Sequence, residues 1–382
     1  MKDLYRTILG VLVLTIIIGS MSLSLRAGNK DRSGQAACSF LLINPWASTN
    51  GWGTAGISHT KGIESTFSNV AGMAFTKKTE IAYTNTIYMQ QSGSMINSMG
   101  VVQNLGESRE GNERGNLGAT VMIMSLGKID RTTTEQPTGG LGQYTHSMMN
   151  LAVSYARSFS NTVHAGVSFN INNQSAEDIK ATGFTIDLGI QYVTGRNDQF
   201  QIGVALSNIG LPVKYKGDGM NIRSNLPGNS FISSLSIPTE EAEMPVLLAL
   251  GASYDFLFGD TRKAAGGEDS EPMKIRRENA AHRITLAGSF IANAYSRDQI
   301  IFGMEYSLLD YFQVRAGYTI QGSMFDKNAI STSNFTGPSV GTSLLIPLKK
   351  DKREPSRFAI DYSYRFTNVY KGCHAIGARL IL

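Results

Sequence analysis

From residue 79 to its end, the chain repeats segments of about ten residues in which apolar and polar side chains alternate. Residues 358–367 show the pattern most clearly, because Asp361, Ser363 and Arg365 lie between aromatic and aliphatic side chains. Successive side chains of a β-strand point to opposite faces of the sheet, so each segment has one apolar and one polar face. A soluble sheet explains one such strand, but not a long succession of them without an intervening helix. The pattern predicts an all-β fold, a closed antiparallel transmembrane β-barrel with lipid outside and polar groups inside.

The alternating segments number fourteen, an even count that is typical of bacterial single-chain barrels. The predicted strands are 79–89, 94–106, 115–128, 146–157, 162–172, 181–194, 199–209, 245–258, 282–295, 299–308, 311–321, 336–348, 357–367 and 373–382. Most short connections alternate with long ones, and the charged insertion 259–281 is the exception. We therefore expect the long connections, with 210–244 the longest, to face outward and the short turns to face the periplasm.

The first 27 residues have the layout of a secretory signal peptide. Lys2 and Arg6 precede an apolar run at residues 8–19, and small residues follow it. A transmembrane anchor is the alternative, but a helix needs about twenty residues to span a bilayer. A lipoprotein signal at Cys38 is weaker, because Gln35 stands where a branched apolar residue is required. The predicted organisation is a signal peptide (1–27), an N-terminal hatch segment (28–78) and a barrel (79–382) in the outer membrane of a Gram-negative bacterium.

Composition agrees with a barrel and argues against nucleic acid as a partner. The hydrophobic content of 42% is ordinary, as expected when half of each strand faces a polar lumen. The net charge of +5 is too small for a nucleic-acid-binding protein. Cys38 and Cys373 are the only cysteines, and the sequence leaves open a disulfide between them or two free thiols.

The segment before the first strand contains GWGTAG at residues 51–56, which formally fits GxGxxG. We reject a dinucleotide site, because no strand–turn–helix unit surrounds this string. A barrel of fourteen strands is too wide for its own side chains to fill, so the segment is expected to plug the lumen. Residues 61–74 are predicted to form a short helix or turn. The predicted hatch residues are Trp52, Gly53, Gly56, Ile63, Phe67 and Met73, with Val70 also placed to pack.

The inward-facing positions carry ionisable groups of both signs: Asp187, Asp255, Glu305 and Asp361 oppose Arg283, Arg315, Arg365 and Arg379. We favour paired networks that brace the wall or bind the hatch, and a substrate pathway is the alternative. Met95, Met99, Met122 and Met124 form a predicted apolar sector. This sector could bind an acyl chain or an apolar peptide, but packing against Phe67 and Met73 is the simpler expectation.

The sequence offers no recognisable catalytic, cofactor or metal site. None of His59, His146, His164, His282 and His374 has a partner at a nucleophile spacing, and no HExxH or Cys/His cluster occurs. His164 and Ser168 share a strand face but would lie about 13 Å apart. The histidines are therefore expected in a hydrated lumen or at a rim.

Several strings together resemble the PorV/PorQ family of outer-membrane barrels, which is associated with the type IX secretion system. They are FLLINP (40–45), GWGTAG (51–56), SNVAGMAF (68–75), GGLG (139–142), SYARSFS (154–160), GIQYVTG (189–195) and DYSY (361–364). The family is similar in architecture to long-chain fatty-acid transporter barrels, so the resemblance implies fourteen strands and an N-terminal hatch in the lumen.

These features leave three functional hypotheses. The first is a non-enzymatic component of type IX secretion that binds secreted cargo or partner subunits, with Lys214, Tyr215, Lys216 and Arg223 of the longest connection as a docking loop. The second is hatch-gated transport of a hydrophobic small molecule such as a fatty acid. The third, a lipid-modifying enzyme, has no supporting motif. Outer-membrane lipids are expected partners in every case, and no cofactor is expected.

Overall fold

The computed structural model describes residue 28 and residues 30–107, 113–195, 197–225, 232–260, 280–321, 333–348, 356–367 and 370–382. The predicted signal peptide, residues 1–27, lies outside the described residues. No helix in the described part of the chain is long and apolar enough to cross a membrane.

Fourteen strands form one closed antiparallel barrel, and the first strand pairs with the last to complete it. The strands of the chain are β1 (Thr79–Tyr88), β2 (Ser94–Asn104), β3 (Asn116–Asp130), β4 (Gln143–Ser158), β5 (Val163–Ala176), β6 (Ile179–Thr194), β7 (Phe200–Gly210), β8 (Asn221–Asn225), β9 (Ile232–Ser236), β10 (Leu247–Asp260), β11 (Ala280–Asn293), β12 (Gln299–Leu308), β13 (Phe312–Gln321), β14 (Gly337–Pro347), β15 (Arg357–Arg365) and β16 (Cys373–Ile381). Strands β8 and β9 form a separate hairpin outside the barrel. The predicted fold class and strand count are therefore confirmed.

Each wall strand follows the alternation that its sequence predicts. In β15, Asp361 and Ser363 are each 1% exposed, whereas Ile360 and Tyr362 are 44% and 39% exposed. The exposed positions form the apolar outer face, and the buried positions face the lumen. The barrel therefore presents its aliphatic and aromatic side chains to lipid.

The strands differ from the prediction at several ends and in one additional hairpin. Strand β4 begins three residues early at Gln143, and β5 continues four residues further to Ala176. Strand β3 continues past Lys128 to Asp130, because a bulge between Ser125 and Lys128 inserts one residue and interrupts the period of two. Gly127 within the bulge has φ +83°. The hairpin β8–β9 was not predicted, because its strands are only five residues long and lie within a polar connection.

Residues 37–76, which we call the lumen segment, lie inside the barrel. The segment contains one α-helix, α1 (Ala47–Gly51), and 3₁₀ helices at Ser39–Leu42, Gly56–Ser58, Gly62–Phe67 and Val70–Phe75. Helix α1 contacts β13–β16, and the following turns contact β7, β10 and β11, then β1 and β2, then β3–β6. The segment thus touches the wall on every side.

The lumen segment runs from one end of the barrel to the other. Ala37 donates its backbone N–H to the carbonyl of Glu243, in the long connection between β7 and β10. The segment ends just before Thr79, where β1 begins at the opposite end. We call these the loop end and the turn end. The assignment of the loop end to the cell exterior remains a prediction.

Candidate functional site

Inward-facing glycines make room for the lumen segment. A Cβ atom added at any of them would overlap an atom of the segment or leave it at most 3.2 Å away. The glycines with their neighbours are Gly100 (Ile63), Gly118 (Met73), Gly166 (Val70), Gly189 (Asn69), Gly203 and Gly251 (Ile57), Gly303 (Ala55), Gly317 (Trp52), Gly341 (Gly51) and Gly377 (Ala47). At these glycines, the backbone of the wall therefore approaches the lumen segment more closely than a larger residue would allow.

Asn69 fixes one side of the segment to the wall. Its side-chain Nδ2 lies 3.0 Å from both the Ile57 and the Ile190 carbonyl oxygens and 3.4 Å from that of Val204. Its Oδ1 accepts the N–H of Ala71 at 3.2 Å. The side chain is buried, so these bonds replace water completely. Asn69 therefore joins two turns of the segment to β6 and β7.

The six predicted hatch residues all lie in the lumen segment. Ile63 and Met73 are fully buried, and Phe67 packs edge-on against Trp46, with 6.3 Å between the ring centroids. Trp52 packs between Ala287 and Ile301 of the wall. Gly53 adopts φ +69°, a left-handed conformation that suits glycine. Whether the segment opens as a hatch remains a prediction.

One cluster of predicted lumen charges lies at the turn end, between β11, β12 and β13. Glu305 accepts hydrogen bonds from Arg283 Nη2 at 3.0 Å and Arg315 Nε at 2.7 Å. Arg283 Nη1 also donates to Asp310 at 3.0 Å. All three members predicted from the sequence are buried. Their mutual pairing fits the favoured interpretation, in which these charges brace the wall.

A second cluster connects the wall to the lumen segment through Arg379. Its Nε lies 2.7 Å from Asp361 Oδ2, and its Nη1 lies 2.9 Å from Glu64 Oε2. Ser48 Oγ also donates to Glu64. Burial raises the pKa of Glu64 above its ordinary value; Arg379 opposes this rise, and the Asp361 carboxylate adds to it. Glu64 and Ser48 had not been predicted as partners.

Glu80, at the start of β1, holds the end of the segment. Its carboxylate accepts the N–H of Ile63 at 2.9 Å and the hydroxyl of Thr76 at 3.0 Å. Gly62 lies directly over this carboxylate with φ +71°. The contact closes the last turns of the segment against the strand that follows them.

Two further predicted lumen charges, Asp187 and Asp255, accept hydrogen bonds from polar groups of the wall. Asp187 accepts the Asn208 N–H at 2.6 Å and Asn170 Nδ2 at 2.7 Å, and no arginine among the described residues lies within ion-pair distance of it. The bulge between Ile186 and Leu188 places Asp187 toward that backbone N–H. Asp255 is hydrogen-bonded by Thr285 at 2.5 Å and lies 3.9 Å from His59 Nδ1.

The two charge clusters border a cavity of ≈ 170 Å³ at the turn end of the lumen. Its walls include His59, Lys61, Glu64, Arg283, Arg315 and Arg379. Because carboxylates and guanidinium groups already pair with each other around it, the cavity is suited to water rather than to a strongly charged ligand.

The predicted methionine sector is divided between the two faces of the wall. Met122 and Met124 are buried and belong to an apolar cluster with Phe40, Met148 and Met244 at the loop end. Phe67 packs against the same cluster. Met95 and Met99 are 46% and 55% exposed on the outer face, so their assignment to one shared sector was wrong. Because side chains alternate between the two faces of a strand, Met95 and Met99 face outward while Met122 and Met124 face the lumen.

The predicted docking loop lies within residues 211–246, which we call the long loop. Val213 pairs with Ala242, and Lys214 forms an ion pair of 3.1 Å with Glu241. Lys216 pairs through its backbone with Lys180 of β6. The Tyr215 hydroxyl donates to Gln174 Oε1 at 2.6 Å, so this side chain faces the barrel rather than solvent. The side chain of Arg223 lies outside the described part.

Cys38 and Cys373 are both buried free thiols in the apolar cluster at the loop end, so the disulfide alternative is not realised. Burial raises the pKa of the Cys38 thiol to about 12. The Cys38 N–H lies 3.4 Å from Gln174 Oε1, the atom that also accepts the Tyr215 hydroxyl. The start of the lumen segment and the long loop therefore share one wall residue.

The histidines have separate environments. His164, His282 and His374 contact Ser158, Tyr306 and Tyr362 at 2.9, 2.8 and 2.9 Å. Ser168 bonds to Ser154 instead of a histidine. His59 packs edge-on against Trp52, and His146 lies at the start of β4. Among the described residues, no group of three potential ligands could hold a metal ion.

Sequence reasoning missed the residues that fix the segment to the wall most directly. Asn69, Glu64 and Glu80 are single polar residues without a motif of their own. The sequence did contain one signal of a filled lumen, since glycine occupies inward positions in ten strands. A lumen filled only by water would not require glycine at these positions.

A family model described as Type IX secretion system protein PorV matches residues 26–234, more than half of the chain. No curated protein matches the sequence. The predicted resemblance is confirmed over the lumen segment and the first half of the barrel.

Several solved structures are similar to this chain. The Pseudomonas putida toluene transporter TodX has a TM-score of 0.51 at 11% identity, covering 88% of this chain and 97% of TodX. The CymD monoaromatic hydrocarbon channel has a TM-score of 0.47 at 11% identity, covering 89% of this chain and 97% of CymD. A Pseudomonas aeruginosa FadL homologue has a TM-score of 0.46 at 11% identity, covering 88% of this chain and 98% of the homologue. At this level of identity, the likeness to TodX shows a shared barrel fold.

Proposed function

Because the chain belongs to the PorV family of type IX secretion system proteins, we propose that it is a non-enzymatic component of that system which binds secreted proteins or partner subunits at its loop end. The barrel lies in the outer membrane of a Gram-negative bacterium, and its apolar outer face contacts lipid. The family match carries this proposal.

The filled lumen supports a binding role. The lumen segment reaches every side of the wall and is joined to it by Arg379, Asn69 and Glu80. A folded protein cannot pass through a barrel of this size while the segment is in place. Contact with secreted proteins is therefore expected at the outer surface of the molecule.

The long loop is the best candidate for that contact. Its ends are fixed by the Val213–Ala242 pairing, so the hairpin β8–β9 projects from an ordered base. Ile222 and Leu235 are directly opposite each other on one face of the hairpin, and both are exposed. Lys214 and Lys216 beside this base are exposed cations. An apolar pair bordered by charge is a common arrangement in protein interfaces.

The decisive experiment is a pull-down of the full-length protein from native outer membrane in mild detergent, with mass spectrometry of proteins and lipids. Stoichiometric recovery of secretion subunits or exported proteins is the expected result. A barrel recovered alone with one enriched apolar ligand would contradict the proposal.

Replacing residues 221–236 with a short turn should reduce recovery of the bound protein by about tenfold or more, because it removes the exposed Ile222–Leu235 pair. The Val213–Ala242 base remains, so the barrel should fold normally. The matched control shortens residues 133–141, a second exposed connection at the loop end, and should leave recovery unchanged. Equal recovery from both variants would remove the hairpin from the interface.

Transport of a hydrophobic small molecule is the second candidate. It is supported by the apolar cluster below the long loop, where Met122, Met124, Met148 and Met244 surround the start of the lumen segment. Methionine side chains adapt to irregular apolar ligands. The lipid fraction of the same pull-down tests this function, because a transporter would retain its ligand in this cluster.

A further inference from the structure

Arg365 differs from the other arginines of the lumen. Arg283, Arg315 and Arg379 each have a carboxylate oxygen within 3.0 Å. Arg365, at the loop end of β15, is only 8% exposed, and no carboxylate among the described residues pairs with it. In the described part of the chain, its guanidinium donates one hydrogen bond, a long contact of 3.3 Å from Nη1 to Asn50 Oδ1. The guanidinium also lies 4.3 Å above the centre of the Phe335 ring.

A buried guanidinium without a counter-charge is costly. Removing an ion from water carries a penalty of several kcal/mol unless an opposite charge or several hydrogen bonds replace the water. One long amide contact and a cation–π interaction recover only part of this penalty. Among the described residues, therefore, no negative charge compensates Arg365.

A small cavity adjoins the guanidinium. Its volume is ≈ 10 Å³, about the space needed for one atom of the size of water, and its walls include Asn44, Thr86, Tyr88, Phe335, Arg365 and Cys373. Two buried polar atoms in these walls, Asn44 Nδ2 and Thr86 Oγ1, have no hydrogen-bond partner among the residues that the structure describes. Both residues are more than nine-tenths buried.

The orientation of the Asn44 amide is fixed by its neighbours. Asn44 Oδ1 accepts the Trp46 N–H at 3.0 Å, so Nδ2 is the end left over. The Asn44 carbonyl is used as well, because it accepts Asn50 Nδ2 at 2.9 Å. The cavity is therefore bordered by the N–H groups of Asn44 and Arg365 and by the Thr86 hydroxyl, which can turn its hydrogen inward.

We propose that this cavity binds one monatomic anion, with chloride as the physiological candidate. An anion would supply the missing charge and accept hydrogen bonds from all three groups. Water could donate to the Thr86 and Ser363 hydroxyls in the walls, but it carries no charge and would leave the buried Arg365 guanidinium uncompensated. The cavity is too small for phosphate or a carboxylate ligand.

The position of the site gives the anion a structural role. Thr86 belongs to β1, Arg365 to β15 and Cys373 to β16, so the site lies where the barrel closes on itself. Asn44 belongs to the lumen segment. The bound anion therefore connects the lumen segment to the closing strands at the loop end, as Arg379 connects it to the wall at the turn end.

Purified full-length protein in detergent provides a test that needs no variant. Thermal unfolding is measured in sodium chloride, sodium bromide and sodium gluconate at equal ionic strength. Chloride and bromide should each raise the midpoint by roughly 2 °C or more over gluconate, with saturation, because a ligand that binds only the folded state stabilises it by mass action. Crystals grown in bromide should show an anomalous bromine peak beside Arg365. Equal midpoints in the three salts, or a cavity with water alone, would overturn the proposal.

Two substitutions separate the site from general effects of salt. Asn44→Asp places a carboxylate oxygen where Nδ2 stood, so it should remove the chloride dependence while preserving the stability measured in chloride. Arg365→Gln should also abolish the dependence. Arg131→Gln, which changes an exposed arginine paired with Glu177, is the control and should retain the dependence of the wild type. A chloride effect that persists in Asn44→Asp and Arg365→Gln would place the anion elsewhere.

Discussion

At the scale of single residues, Asn69 is the side chain whose loss is expected to weaken the lumen segment most directly. Asn69→Asp preserves size but sets a carboxylate against the carbonyls of Ile57 and Ile190, which both accept from Nδ2 at 3.0 Å. The free energy of unfolding should fall by about 1–3 kcal/mol, the cost of leaving buried polar groups unpaired. Denaturant titration in detergent measures this change.

Asn173→Asp is the matched control for that substitution. Asn173 makes a single exposed contact with Thr182 at 3.0 Å, so its replacement should change the free energy of unfolding by less than about 0.5 kcal/mol. Equal destabilisation by the two substitutions would show that Asn69 does not connect the segment to the wall.

Individual side chains were predictable where the period of two decided their position. Alternation places Arg283, Glu305, Arg315 and Asp361 on the inner face, and all of them are buried there. Alternation could not predict which charges pair with each other. The pairing register of β11 and β12 decides which of their side chains meet, and Glu64 reaches Arg379 from the lumen segment, more than two hundred residues earlier in the chain. A bulge was enough to give Asp187 a backbone partner instead of an arginine.

At the scale of elements, the inward glycines of the wall strands are expected to leave the space that the lumen segment occupies. Gly317→Ala in β13 would place a methyl group against the carbonyl group of Trp52, and both are backbone positions that cannot move aside easily. Overpacking of this kind should cost about 1–3 kcal/mol of unfolding free energy. Gly288→Ala in β11, where the nearest atom of another residue would be 3.9 Å away, should be close to neutral. Comparable stability of the two variants in denaturant would show that the lumen segment does not need the space left by Gly317.

The strands were predictable from sequence as elements, and the turns of the lumen segment were not. Each wall strand repeats a strong periodic signal, so fourteen strands were located with small errors at their ends. The 3₁₀ helices Gly62–Phe67 and Val70–Phe75 have no such period, because their residues contact different strands in succession. The hairpin β8–β9 was missed for another reason, because its strands are only five residues long and lie within a polar connection.

At the scale of the whole molecule, the lumen segment is expected to stay in the barrel and to keep its buried residues away from solvent. Burial raises the pKa of Cys38 to about 12 against an ordinary 9.0, so at pH 8 its reactive thiolate is about a thousandfold rarer than that of an exposed cysteine. In a Cys373→Ala background, maleimide should therefore label Cys38 at least that much more slowly than a cysteine introduced at the exposed Ser160. Between pH 7 and pH 9, the rate for Cys38 should rise about tenfold per pH unit throughout, whereas the rate at position 160 should begin to level off as pH 9 is approached. If Gly317→Ala displaces the segment, Cys38 should approach the rate and the pH profile of the exposed control. Rapid labelling of Cys38 in the unmodified barrel at pH 8 would mean that the segment leaves the lumen readily, and the filled lumen proposed for secretion would have to be replaced by a gated channel.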